Sequence, residues 1–378
     1  MSTHPVPIRP DLAAMTGYHS PQVDVEVRLN TNESPLAPPA EWLDELRAEL
    51  GTIAFNRYPD RDAAALRDAL GELHGVGRSQ VFCAKGSNEV LQCLLLAYGG
   101  AGRSVALFEP TYALHRHIAQ LTGTAVVSAW RRPDFSLDLA AVAEVLGTAR
   151  PAVTFLCSPN NPTGRAEPPQ VVAEVLARTD GLVVVDEAYG QFARWSALEL
   201  LRSGAPDAQR LVVVRTFSKT WSMAACRLGY LVAAPEVVEA CQRAALPYHL
   251  DALTQAAGRL ALRHVGAMEA RVALLTEQRE RLSAALGELP VEHWPSEANF
   301  VLFRPLHRPA RAVWEDLLAA SVLVRDCSTW PGLRECLRVT VGTPAENDRF
   351  LEALRASLAA PAGHRTPPVS SPASEARA

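Results

Sequence analysis

The stretch Gln80–Tyr98, QVFCAKGSNEVLQCLLLAY, changes its period halfway along. QVFCA is short, apolar and β-prone, as a buried strand is, whereas GSNEVLQCLLLAY spaces its apolar residues for a helix. The alternation continues downstream: VALF, TAVVSAW, AVTFLC, GLVVVD, RLVVV and LGYLVA read as further strands, with helical segments between most of them. This pattern predicts an α/β fold, a mainly parallel sheet flanked by helices. Ligands of such sheets sit beyond the carboxyl ends of the strands. That rule gathers the loops after Cys83, Phe108, Cys157, Val185 and Val214 on one rim.

Working outward, residues 1–29 are Pro-rich and read as an N-terminal arm, followed by the polar loop LNTNESPLAPP. Helices are expected at about 40–50 and 62–75, with NRYPD, Asn56–Asp60, as a link between them. After about residue 235 helices prevail, including a long one at about 267–288. ANFVLF, SVLVRD and CLRVTV, with helices near 308–320 and 344–359, predict a smaller α+β domain. The expected division is an arm at 1–29, a large domain at 30–270, a small one at 271–360, and a disordered tail at 361–378.

Composition limits the function. Of 378 residues, 48% are hydrophobic and 21% charged, and the net charge is −4. That is a soluble globular balance, without the basic excess that would suggest a nucleic-acid partner or a membrane surface. No apolar run approaches the ~18 residues of a membrane span, and MSTHPVPIRP does not resemble a secretory signal. Seven scattered cysteines, none in a C-x-x-C pair, read as free thiols of a reducing cytoplasm.

The 37 basic residues include only two lysines, Lys85 and Lys219. Where arginine is the default cation, a lysine suggests chemistry that guanidinium cannot do. Its amine can lose a proton and attack a carbonyl. Lys85, at a strand end, reads as a solvated loop residue. Lys219 lies in RTFSKTWSMAACRLGY, Arg215–Tyr230, beside Thr216 and Ser218, which can donate to a phosphate; Arg227 can clamp one as a charged fork. Gly86, with the first amides of the following helix at Ser87 and Asn88, offers an anion-binding turn.

Three other loops carry matching chemistry. In SPNNPTG, Asn161 can hydrogen-bond a ring hydroxyl without adding charge, while Asn160 shapes the turn. In VVVDEAY, Asp186 directly follows a buried strand and could pair with a protonated ring nitrogen, with Tyr189 within reach of a ring oxygen. Tyr112, opening a helix, could stack on a flat ring. His115 and His117 look metal-like but face different sides of a helix with no completing ligand, so they are expected at the surface and no metal is predicted.

Taken together, RLNTNESP, NRYPD, GSNEVL, EPTY, SPNNPTG, VVDEAY, TFSK with RLGY, LPYHL, ANFVLF and CLRVTVGT resemble the fold type I pyridoxal-phosphate enzymes, specifically the histidinol-phosphate aminotransferases. The resemblance runs from about Tyr18 to the last helix. It implies ping-pong transamination with pyridoxal 5'-phosphate, between glutamate/2-oxoglutarate and histidinol phosphate/imidazole-acetol phosphate. It implies Lys219 as the Schiff-base lysine and proton shuttle, Asp186 on the pyridine nitrogen, and Asn161 and Tyr189 on the ring hydroxyl. Tyr112 would be the stacking ring, and Ser87, Asn88, Ser218 and Arg227 the phosphate cradle. Tyr58 would reach the cofactor phosphate of a neighbouring subunit, which implies a homodimer. Arg338 would clamp the substrate carboxylate, Asn32 would belong to the substrate-side loop, and Tyr18 and Arg325 would contact the substrate phosphate.

The segment after the lysine departs from the family pattern of small or apolar residues. Thr220, Trp221, Ser222 and Met223 stand there, and Trp221 is expected to reshape the pocket beside the amine. The alternatives on this fold are an aromatic or secondary-pathway aminotransferase, or a decarboxylase of the threonine-phosphate type. A transcriptional regulator would need a DNA-binding domain, for which a 29-residue arm is too short.

Overall fold

The computed structural model describes residues 6, 8–13, 15 and 23–360. Tyr18 and the stretch 361–378 lie outside the described residues.

Among the described residues, twelve strands form two sheets: β1 Val27–Leu29, β2 Val81–Ala84, β3 Ser104–Glu109, β4 Ala125–Trp130, β5 Val153–Cys157, β6 Leu182–Asp186, β7 Leu211–Thr216, β8 Gly229–Val232, β9 Val291–His293, β10 Phe300–Pro305, β11 Val322–Asp326 and β12 Leu337–Thr340. The larger sheet has the order β2-β8-β7-β6-β5-β3-β4. β8 runs antiparallel to both neighbours, and the other strands point one way. The sheet is thus mainly parallel, as the alternating text implies. β5 and β6 are buried at every position, as strands covered on both faces must be. Helices such as Gly86–Tyr98 and Pro235–Ala244 cover one face, and the core on the other face includes Trp42, Leu66 and Leu260.

The smaller sheet has the order β1-β11-β12-β10-β9. β1 pairs in parallel with β11, so the end of the N-terminal stretch is woven into a sheet otherwise made from the last third of the chain. The helices Ala310–Ala319 and Pro344–Ala359 pack against it. The 23-residue helix Val265–Gly287 contributes Met268 to the larger core and Leu275, Leu282 and Leu286 to the smaller one, and so joins the two. Among the described residues, no helix is long and apolar enough to cross a membrane.

Candidate active site

A cleft of about 210 Å³ opens on the carboxyl-end rim of the larger sheet. Successive strands each deliver a loop to it. The turn after β2 gives Ser87 and Asn88, that after β3 gives Tyr112, and that after β5 gives Asn161. β6 ends on Asp186, with Tyr189 just beyond; β7 leads to Ser218 and Lys219. Antiparallel β8 returns to the rim by its amino end, which delivers Arg227. The smaller sheet closes the cleft with Asn30, Asn32 and Arg338.

The Lys219 amine donates to the Thr31 carbonyl at 3.0 Å and sits 5.8 Å from the centre of the Tyr189 ring. Burial, then the nearby Arg338 charge, lowers its pKa from 10.5 to about 8. The amine is therefore far easier to deprotonate than a surface lysine. Lys85 is instead paired with the Asp251 carboxylate and with Thr254 Oγ1 at 3.1 Å, rather than simply solvated.

Asp186 is almost fully buried, and its Oδ2 lies 2.9 Å from His115 Nε2. An ionised carboxylate only accepts, so the histidine donates. This corrects the surface reading of His115. Its side chain is fully buried, with its ring stacked on Phe155 at 4.6 Å and edge-on to Tyr112 at 5.4 Å. The signal was available in the sequence: His115 lies three residues beyond Tyr112, hence on the same helical face. Glu187, next to Asp186, turns away into a buried pair with Arg215 at 2.8 Å.

The Tyr189 hydroxyl accepts from Asn32 Nδ2 at 3.0 Å, and burial holds its pKa well above the usual phenol value. Asn32 has φ +55°, a left-handed conformation that asparagine tolerates, and its Oδ1 accepts from Thr340 Oγ1 at 3.0 Å. Arg338 is buried and donates to Asn161 Oδ1 at 2.5 Å and to the Asn30 carbonyl at 2.9 Å. Asn160 bridges Pro110 O at 3.0 Å and Thr163 Oγ1 at 2.9 Å, shaping its loop as expected.

At the other end of the cleft, Ser87 and Asn88 open the helix Gly86–Tyr98. Free amides at a helix start attract anions. Ser218 Oγ accepts from Arg227 Nη1 at 3.4 Å, and Tyr112 Oη donates to Asn88 Oδ1 at 3.3 Å. Gly229 lies so close to this turn that a Cβ there would strike the Ser87 amide and the Gly86 carbonyl carbon.

Three of the residues singled out in the sequence lie outside this cleft, among them Tyr58, which is expected to serve a neighbouring subunit rather than its own. Tyr58 is 79% exposed and stacks on Tyr248 at 4.4 Å, away from the cleft. Arg325 does not line the cleft; its guanidinium carbon is 5.2 Å from the ring centre of Trp330, which does. Trp221 is also absent from the lining. It is buried in the large core, stacked on Phe217 at 5.2 Å, and Ser222 turns the chain there with φ +57°. The expectation that it reshapes the pocket is therefore corrected: its bulk packs the scaffold beneath Lys219.

The Aminotransferase class I and II family profile matches residues 24–354. A histidinol-phosphate aminotransferase of Frankia casuarinae is 47% identical over 368 residues, covering 93% of this chain and 90% of that protein. One from Thermobifida fusca is 44% identical, covering 92% and 95% respectively. Among solved structures, the histidinol-phosphate aminotransferase of Sinorhizobium meliloti in complex with pyridoxal-5'-phosphate superposes with a TM-score of 0.85 at 22% identity, covering 94% of this chain and 98% of that one. The L-threonine-O-3-phosphate decarboxylase of Porphyromonas gingivalis gives 0.75 at 24% identity, covering 88% and 99%; these two likenesses speak for the fold.

The chain belongs to the class I and II aminotransferase family. It is an aminotransferase of PLP fold type I, and its cofactor is pyridoxal phosphate. The residues suit that group chemically. A buried carboxylate, an easily deprotonated amine and an anion-binding helix start with an arginine line one cleft, and the close approach at Gly229 leaves the amide turn uncovered.

Proposed function

We propose that the chain transfers an amine from glutamate to imidazole-acetol phosphate, giving 2-oxoglutarate and histidinol phosphate, or the reverse. The observation that carries this reading is the charge of the cleft. Among the described residues, Asp186 is the only carboxylate lining it and is already engaged by His115, whereas Lys219, Arg227 and Arg338 also line it and Arg325 stands just behind. Such a cleft favours anions at both ends: a cofactor phosphate at one, and at the other the carboxylate of glutamate or, in its turn, the phosphate of histidinol phosphate. The names of the relatives at 47% and 44% identity support the same substrate.

Pyridoxal phosphate, when bound, supplies an electron-accepting ring that carries the amine between the two substrates. In our reading Asp186, oriented by His115, presents its oxygen to the ring nitrogen. Asn161 and Tyr189 serve the ring hydroxyl. The Tyr189 oxygen already accepts from Asn32, so its own O–H is the group left to donate. Tyr112 supplies the flat stacking face, and Ser87, Asn88, Ser218 and Arg227 hold the phosphate. Lys219 would take the proton from the substrate Cα and hold it for return to the carbon on the far side of the transferred nitrogen, a role suited to an amine that is neutral above about pH 8. Arg338 binds the substrate carboxylate, Asn32 holds the substrate-side loop, and Arg325 and Tyr18 meet the substrate phosphate.

We also read the working form as a homodimer in a reducing cytoplasm, with Tyr58 reaching the partner's cofactor phosphate. Supporting the dimer, Phe55, Tyr58 and Leu246 are 71%, 79% and 79% exposed on this chain, and Tyr58 stacks on Tyr248 at the surface. Supporting the compartment, all seven cysteines are unpaired. The test is a set of half-reactions of cofactor-loaded protein, followed by absorbance, with histidinol phosphate, phenylalanine and threonine phosphate. Fast conversion of histidinol phosphate alone supports the reading. Preference for phenylalanine would make it an aromatic aminotransferase, and release of carbon dioxide a decarboxylase.

A further inference from the structure

We propose that Trp330 is a specificity-determining residue that makes Arg325 selective for the phosphate-bearing substrate. The proposal rests on the substrate reading above. Arg325 and Arg338 are directly opposite each other on antiparallel β11 and β12. Opposed residues of such a pair share a face, and like charges placed so are destabilising. Both are nonetheless buried, at 8% and 4% exposure. A pair of this kind fits a site visited by an anion with more than one charge.

Arg338 already has a place for a carboxylate, since it lines the cleft and its hydrogen-bond partners are neutral. What distinguishes Arg325 is its cover. Residues 327–336 form a tight loop: Cys327 N donates to Cys336 O at 3.0 Å, Trp330 N to Cys327 O at 2.9 Å, and Leu333 N to Trp330 O at 3.1 Å. Cys327, Leu333 and Cys336 are fully buried in one apolar cluster that Trp330 packs against. Gly332, at φ +73°, brings the loop against Trp130 and Pro110, on the rim of the larger sheet. The backbone that carries the indole is thus fixed through both its N–H and its carbonyl. The indole lines the cleft, and the Arg325 guanidinium carbon lies 5.2 Å from its ring centre.

An indole against a guanidinium attracts it through the ring quadrupole and removes water from that face. It also limits the rotamers of a long side chain. A phosphate arriving at Arg325 therefore meets a cation that is already oriented and poorly hydrated. A substrate without phosphate gains nothing from this arrangement. Trp330 acts through Arg325, as a positioning residue, and its mark is selectivity rather than turnover.

The test compares cofactor-loaded wild type, Trp330→Ala and Trp330→Phe in steady state with histidinol phosphate, and in the single half-reaction with glutamate. Trp330→Ala should raise KM for histidinol phosphate roughly tenfold while kcat and the glutamate half-reaction stay within about twofold. Trp330→Phe should recover most of the loss, because phenyl keeps an aromatic face. Equal losses with both substrates, or none with either, would overturn the proposal. A wild type that leaves histidinol phosphate untouched would instead overturn the substrate reading itself, and this inference with it. Thermal unfolding of each variant separates a general packing defect from the selective effect.

Discussion

His115 Nε2 and Asp186 Oδ2 are 2.9 Å apart, and neither side chain has more than 2% of its surface exposed. The histidine comes from the helix after β3 and the carboxylate from the end of β6, so the bond ties two loops of the rim together. A buried carboxylate that loses its donor bears the cost of an unmet hydrogen bond, about 1–3 kcal/mol and more for a charge. His115→Phe is therefore expected to weaken cofactor binding by roughly tenfold or more, with secondary structure intact. Titration of cofactor into the apoprotein, with circular dichroism as the control, measures this. An unchanged affinity would mean that Asp186 is held without the histidine.

Lys219 gives a pH prediction. Burial favours its neutral form, and the pKa falls from 10.5 to about 8. Below pH 8 the protonated amine has no lone pair for attack; above it the amine is free. Reductive trapping of the cofactor-free protein with a small aldehyde should show a component with a midpoint near 8 rather than 10.5. Lys219→Ala should remove that component, together with all transamination.

Arg338→Lys keeps the charge and loses the fork that spans Asn161 Oδ1 and the Asn30 carbonyl. Point charge does not replace planar geometry at such a site. The KM for glutamate should rise by about ten- to a hundredfold, with a smaller change in kcat. Equal kinetics for the two proteins would show that glutamate does not use this residue.

Gly229→Ala forces a methyl group into the turn that carries the Ser87 amide. Overpacking of this kind costs about 1–3 kcal/mol. Apoprotein stability should fall by that order, and affinity for the cofactor should fall more than for Gly147→Ala, where a Cβ meets no atom within 4 Å. Calorimetry and cofactor titration of the pair decide it.

Trp221→Leu tests the corrected reading of the segment after the lysine. Loss of a buried indole stacked on Phe217 should cost about 2–4 kcal/mol in stability and leave the ratio of activities toward different amines unchanged. A shifted ratio would return Trp221 to the pocket.

The strands of the larger sheet are legible in the sequence because burial on both faces demands continuous apolar, β-branched text, and loops at their carboxyl ends follow by rule. The opposite sense of β8 leaves no trace in composition, because direction is set by which neighbours pair. β1 and β9, at three residues each, are too short to establish any period. His115 is hidden by its resemblance to a metal pair with His117, although its relation to Tyr112 carries the information. Trp221 misleads because adjacency in sequence suggests adjacency in space. The left-handed turn at Ser222 undoes that.

The pairing of β1 with β11 sets a condition on when the site can exist. Val27 lies opposite Val322, and the loop after β1 provides the Thr31 carbonyl that receives the Lys219 amine. Nearly the whole chain must therefore emerge during synthesis before the cleft gains its second wall. Contacts this distant in sequence form late, since the intervening loop must close first. A nascent chain can fold its larger sheet while remaining without a complete cleft, so reactive-amine chemistry is withheld from unfinished polypeptides until the last strands are in place.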